Sequence, residues 1–293
     1  AARRGSILNS KSFETVRLGS LEESPDYVEA FKGCDVLIHC ASRGSMRGHE
    51  GWLDEAALHR INVLGTVHMA REAHRAGVSG FIFLSSLQVN GPETPAGKRF
   101  YADSLPRPKS PIGKALLEAE KELIRVGDET GMEIVIVRPP LIYGPDCQNL
   151  FGEVKVDYCL PLPLRSCKRN HRSLVGIDNL VDFLICCATH PDAANETFLV
   201  SDGEDLSTLN IFKLLAKTHH RPCLLWPFPP ILVRLFNSYI GRQAWEEFFF
   251  QSQVADIHKA QLVLGWTPPL SVEQSFRRSW DENFYLGSHT SSK

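Results

Sequence analysis

Two side chains are chemically pointed by their type and position. Ser86 follows the apolar run of residues 80–85 (GFIFLS), so its hydroxyl stands at a strand end. There it can serve a ligand or merely satisfy backbone groups. Arg172 opens the phrase Arg172-Ser173-Leu174-Val175, and its guanidinium is a planar fork suited to bidentate recognition of phosphate. The plain alternative is a salt bridge to a carboxylate such as Asp178 or Asp182. Other reactive residue types form no constellation. The eight cysteines include no C-x-x-C pair and no Cys/His cluster at zinc spacing, so no metal site is read. Cys186 and Cys187 adjoin in an apolar segment, as buried reduced thiols do, and His219-His220 read as a solvated helix end.

Those groups need a scaffold, and the apolar pattern supplies one. Runs at residues 13–18 (FETVRL), 35–40 (DVLIHC), 80–85, 133–137 (EIVIV) and 196–200 (ETFLV) predict strands. The run at 35–40 is nearly continuous, as in a strand buried on both faces. Residues 62–76 predict a helix with Val63, Val67, Ala70 and Ala73 on one side and Gly77 as its stop. Residues 111–130 predict another, with a stripe of Leu116, Ala119, Leu123 and Val126 and with Gly131 at its end. A third follows Asp178, read as an N-cap. This alternation predicts an α/β fold, a doubly wound parallel sheet. From Asp205 onward helical stretches, prolines and aromatics such as Phe248-Phe249-Phe250 predict a smaller, mainly helical C-terminal lobe with no further parallel strand.

Five phrases then stand in order along nearly the whole chain. They are His39-Cys40-Ala41-Ser42 after a strand, Asn62-Val63-Leu64-Gly65-Thr66 at a helix start, and Ser85-Ser86-Leu87-Gln88-Val89-Asn90-Gly91 at a strand end. Arg138-Pro139-Pro140-Leu141-Ile142-Tyr143-Gly144-Pro145 follows, and then Arg172-Ser173-Leu174-Val175 with Asp178-Asn179-Leu180. Singly each is weak. Together, the chain resembles the extended short-chain dehydrogenase/reductase family (NAD-dependent epimerase/dehydratase), in its nucleotide-sugar 4-epimerase/4-ketoreductase branch.

The resemblance implies a Rossmann-type NAD(P)-binding domain of residues 1–148 plus 176–202 and a substrate-binding lobe of residues 149–175 plus 203–286, with a disordered tail at 287–293. Substrate would lie in the cleft at the carboxyl ends of the strands. It implies NAD or NADP as cofactor and a UDP-sugar as ligand. In that family a serine at the place of Ser86 hydrogen-bonds the reacting hydroxyl, and Ala41, Asn62 and Pro139 fall on positions that line the cofactor. Arg3 is placed to meet an adenosine 2′-phosphate, or is simply an exposed arginine. Arg172 matches the arginine that reaches the UDP-sugar pyrophosphate, and Asn149 a substrate-contacting asparagine.

The pattern fails in two places. The family's P-Y-G-x-S-K-x-x-x-E reads here Pro111-Ile112-Gly113-Lys114-Ala115-Leu116-Leu117-Glu118-Ala119-Glu120. Ile112 stands for the tyrosine that moves the proton, and Leu116 for the lysine that lowers its pKa and holds the ribose. Lys114 lies about 200° around the helix from Leu116 and faces away. Tyr101, on the preceding loop, is a poor substitute. Losing general acid/base help costs about 10²–10⁴-fold. The second failure is the cofactor loop: no G-x-x-G-x-x-G precedes His39, and Gly5 and Gly19 stand alone. The opening Ala1-Ala2-Arg3-Arg4, without Met, reads as an N-terminally truncated member lacking roughly 30 residues of the first βαβ unit.

The expected function is a UDP-hexose epimerase or 4-ketoreductase by lineage, its chemistry impaired in this chain. The alternative is a non-catalytic remnant that binds a nucleotide sugar or pairs with a partner chain. A steroid-dehydrogenase type comes third, because that branch's membrane-associating segments are not evident. A net charge of −2 gives no reason to expect nucleic acid or an anionic membrane as partner. The most apolar stretch, residues 223–236, is broken by Pro227, Pro229, Pro230 and Arg234, and no signal peptide is read. Reduced thiols favour the cytoplasm. A homodimer stays open.

Overall fold

In this computed structural model the structure describes residues 16–23, 25–42, 55–145, 160–162, 164–218, 225–227, 229 and 250–280. The helix at Pro111–Thr130 illustrates how local sequence sets an element. Ser110 has extended backbone and accepts the Gly113 N–H on its Oγ at 3.1 Å. Pro111 takes the first turn, where no donor is needed, and Gly131 ends the helix at φ 74°. Leu116, Ala119, Leu123 and Val126 recur at helical spacing and are all buried.

In chain order the first half holds α1 (Val28–Phe31), β1 (Val36–His39), α2 (Glu55–Leu58), a π-helical turn (His59–Leu64) and α3 (Gly65–Arg75). Next come β2 (Gly80–Leu84), a 3-10 turn (Leu87–Val89), α4 (Pro111–Thr130), β3 (Glu133–Arg138) and β4 (Leu141–Tyr143). The second half holds β5 (Leu160–Leu162), α5 (Leu164–Arg169), β6 (His171–Gly176), α6 (Ile177–Thr189) and β7 (Thr197–Leu199). It ends with β8 (Asp205–Ser207), α7 (Thr208–Thr218), β9 (Leu225–Pro227), α8 (His258–Leu264) and α9 (Val272–Trp280).

β1, β2, β3 and β7 form a parallel sheet in that order. The registers His39 with Phe83, Leu84 with Val137 and Arg138 with Leu199 bring the carboxyl ends of the strands level. Phe81, Phe83, Ile134 and Ile136 pack with residues of α3 and α4 on one face. Ile82, Val135, Val137 and Phe198 pack with residues of α6 and α8 on the other. Each such side chain contributes about 1.5–3 kcal/mol on burial. Cover on both faces explains why β2 and β3 read as unbroken apolar runs. β1 at the sheet edge is only partly covered, with Ile38 exposed, which corrects the expectation of burial on both faces there. The fold is the expected doubly wound α/β arrangement, with helices after β8.

A second sheet sets β4 parallel to β6 and β6 antiparallel to β8, and β5 pairs in parallel with β9. β9 corrects the expectation that no parallel strand follows Asp205. Three residues ending in proline carry too short a signal to be read as a strand. Residues 16–18 have no regular secondary structure, so the described part of the strand expected at 13–18 is corrected too, and 13–15 lie outside the described residues. Helix α6 is capped by Gly176, extended at φ −69° and ψ 145°, rather than by Asp178. Asp178 sits in the first turn, where a negative charge is favourable, 3.2 Å from Arg278 Nε. The helix expected at 62–76 begins earlier, in the π-helical turn at His59. The tail at 287–293 lies outside the described residues.

Candidate functional site

Parallel pairing continues past the strand ends and clamps the segment around Ser86. The Ser85 N–H donates to Val137 O at 2.7 Å and the Leu87 N–H to Pro139 O at 2.8 Å. Ser86 is half-buried, and its Oγ accepts the Gln88 N–H at 3.2 Å. It therefore caps the 3-10 turn while standing at the carboxyl edge of the sheet.

The N-terminus of α4 packs against this same turn. Ser110 Oγ donates to Gln88 Oε1 at 2.7 Å. Gly113 comes so close that a Cβ there would lie 3.0 Å from Gln88 O and 2.9 Å from Ser110 Oγ. Ile112, in this first turn, is half-buried and packs against the core. Leu116, one turn further, is 3% exposed in the cluster that includes Val63, Met69, Phe83 and Val89. The structure thus brings the Ser86 segment and the Ile112 turn together, but both α4 positions present hydrocarbon. Lys114 is exposed.

One turn beyond Leu116 is Glu120, and the spacing of four puts Ile112, Leu116 and Glu120 along one side of the helix. Ser85 Oγ donates to Glu120 Oε1 at 2.5 Å. Arg138 grips the same carboxylate with Nε to Oε1 at 2.9 Å and Nη2 to Oε2 at 2.6 Å. Arg138 Nη1 also donates to Asn90 Oδ1 at 3.2 Å, and Asn90 Nδ2 donates to the Tyr101 carbonyl at 3.0 Å. Sequence reasoning passed over Glu120, Arg138 and Asn90 as chemistry. Their only signal was that each falls inside a quoted phrase.

Near the positions expected to line a cofactor, His39 is buried, its Nε2 3.1 Å from Thr66 Oγ1 and its ring stacked on Phe83. Burial pushes its imidazole down to about 4, so it is neutral near pH 7. Ala41 is exposed just after β1, and Asn62 is buried in the π-helical turn. Pro139 is buried. Arg3 and Asn149 lie outside the described residues.

Arg172 is 5% exposed on β6. Its Nη1 donates to Gln253 Oε1 at 2.8 Å and its Nη2 to Gln251 O at 3.1 Å. The carboxylates considered for it face elsewhere: Asp178 lies against Arg278, and Asp182 Oδ2 accepts the Trp266 Nε1–H at 2.8 Å. Gln253, which gave no sequence signal, passes the connection on, its Nε2 donating to Pro92 O at 2.8 Å. A second buried hub ties β4 and β6 to the C-terminal segment. Tyr143 Oη donates to Asp202 Oδ2 at 2.5 Å, and Asp202 Oδ1 accepts from Asn179 Nδ2 at 2.7 Å and from the Gly176 N–H at 2.9 Å. Burial raises the pKa of both Tyr143 and Asp202. Among the described residues no group of His, Cys, Asp and Glu is placed to hold a metal, and no helix is long and apolar enough to cross a membrane.

Comparison with known proteins fits this geometry. The NAD dependent epimerase/dehydratase family model matches residues 2–201. A UDP-glucose 4-epimerase of Vibrio cholerae is 34% identical over 264 residues, covering 89% of this chain and 80% of that protein. The UDP-glucose 4-epimerase of Thermotoga maritima, solved with UDP-glucose, shares the fold at TM-score 0.70 and 20% identity, over 92% of this chain and 84% of that one. MoeE5, solved with UDP-glucuronic acid and NAD, does so at TM-score 0.69 and 20% identity, over 92% and 85%. With the ordered phrases, the parallel sheet and these matches in agreement, the chain belongs to the NAD dependent epimerase/dehydratase family.

Proposed function

We propose that this chain binds a UDP-hexose through Arg172 and descends from NAD(P)-dependent epimerases or 4-ketoreductases, with its own proton-transfer chemistry impaired. The observation that carries this reading is the apolar pair on α4. Leu116 is packed into the core at 3% exposure, and Ile112 holds the turn beside Ser86. Neither can move a proton or hold a ribose hydroxyl. The nicotinamide-ribose end of NAD or NADP therefore does not fit the residues present on α4. Ser86 remains as a hydroxyl at the strand end, and Arg172 as a cation for the diphosphate. A non-catalytic remnant that binds a nucleotide sugar or pairs with a partner chain is the second reading, favoured by the same two residues. The free thiols of Cys34, Cys40, Cys167, Cys186 and Cys187 support a reducing compartment such as the cytoplasm.

The test has two arms. UDP-glucose or UDP-N-acetylglucosamine with NAD(H) or NADP(H) is followed for epimerised or reduced product, and none is expected. Turnover at about 1 s⁻¹ or faster, an ordinary enzymatic rate, overturns the impairment. Calorimetry with UDP is expected to show a larger loss for Arg172→Ala than for Ser86→Ala, because charge dominates recognition of a diphosphate. Equal losses count against Arg172 as the anchor.

A further inference from the structure

One side chain joins Arg172 to the loop that continues from Ser86. Gln253 Oε1 accepts from Arg172 Nη1 at 2.8 Å while Gln253 Nε2 donates to Pro92 O at 2.8 Å. The backbone of Gln253 is held independently: its N–H donates to His171 O and its carbonyl accepts the Ser173 N–H, both at 2.9 Å. The amide can therefore change partners without moving the chain that carries it. On the other side of the same segment, the Thr94 N–H donates to Ser252 O, the Phe100 N–H to Val254 O and the Asp256 N–H to Phe100 O, each at 2.8 Å. Two buried oxygens on this seam, Thr94 Oγ1 and Gln251 Oε1, meet no donor among the described residues. An amide N–H released from Pro92 O therefore has other oxygens on this seam to turn to.

We propose that Gln253 is an exchangeable partner of Arg172 that reports occupancy of the phosphate site to residues 92–101. The proposal rests on the reading of Arg172 as the diphosphate anchor. A phosphate oxygen carries a full negative charge and meets the guanidinium as an ion pair, frequently bidentate, so it displaces the uncharged Gln253 Oε1. The displaced amide loses its orientation and releases Pro92 O, which loosens residues 92–101 on their strap. By linkage, loosening that strap favours the ligand to the same degree. Gln253 is a positioning residue here, because it acts through Arg172 and through Pro92.

UDP calorimetry and amide hydrogen exchange on the full chain, with Gln253→Ala and Gln253→Glu, decide the matter. Gln253→Ala removes the competitor and binds UDP about tenfold more tightly, a factor typical of one hydrogen bond to a charged group. Gln253→Glu is nearly isosteric, engages Arg172 with a charge and binds about tenfold or more weakly. UDP speeds exchange across residues 92–101 in the parent chain. In Gln253→Ala that exchange is already fast and does not respond to UDP. Shifts of the same sign in both variants, or a parent loop indifferent to bound UDP, overturn the coupling and leave the phosphate reading standing. A parent chain that does not bind UDP overturns the phosphate reading and the coupling with it.

Discussion

Glu120 meets Arg138 in a two-pronged contact between α4 and β3, with the two side chains only 2% and 7% exposed. A buried pair of this kind adds little over well-packed apolar replacements, but removing one partner strands the other charge at a cost of about 3–5 kcal/mol. Arg138→Met is expected to destabilise by that amount, because Glu120 then keeps only the Ser85 hydroxyl as a donor among the described residues. Glu120→Leu combined with Arg138→Met should recover most of the loss. Urea unfolding of the single and double variants measures both, and a single-variant loss below about 1 kcal/mol contradicts the pairing.

Leu116 and Ile112 should differ as structural residues. Leu116→Ala opens a cavity in the cluster around Val63, Met69 and Val89 and should cost about 2–5 kcal/mol. Ile112→Ala, at a half-buried position, should cost clearly less. Chemical denaturation that ranks them the other way shows that Leu116 is not seated in that cluster.

His39 gives the molecule a pH dependence of known sign. The unfolded chain takes up a proton near 6.5, which the buried imidazole refuses until about 4. The stability contributed by neutral His39 is complete above 6.5 and is lost as pH falls through that window. At 1.36 kcal/mol per unit, the loss between pH 7 and pH 5 is about 2 kcal/mol. His39→Gln cannot titrate and should flatten this part of the profile. Asp202, raised by burial, acts in the opposite sense in both proteins and cancels from the comparison. Parallel stability–pH curves for the two proteins contradict the assignment.

Strand β1 ends the parallel sheet, and Ile38 on it is 40% exposed. No strand among the described residues pairs with its outer edge. An exposed apolar edge of this kind templates association, and a lysine on it is a common remedy. Ile38→Lys should therefore lower the share of high-mass species in size-exclusion chromatography at fixed concentration. A parent chain that is monodisperse, with one sharp melting transition, removes the premise.

The fold was legible because its signals are local. Ser110-Pro111 opens α4 and Gly131 closes it through backbone geometry that neighbours in sequence control. The apolar runs at β2 and β3 announce burial on both faces. Strands such as Leu225–Pro227 were not legible, because three residues are too few for a period, and their pairing partner lies far away in the chain. Asp178 misled for a related reason: its residue type suits a cap, but the extended backbone that defines the cap belongs to Gly176.

The sequence by itself determined the family, the alternation of strands and helices, and the apolar side chains at positions 112 and 116, since residue identity and order settle each of these. Only the tertiary structure decided what surrounds the remaining polar groups. Arg172 and Gln253 are 81 residues apart, Arg138 and Asn90 are 48, and Ser85 and Glu120 are 35. No periodicity links positions so distant. Their contacts exist because the parallel registers level the strand ends and α4 packs its side against them, and a buried polar atom must then take whatever partner the packing brings within reach.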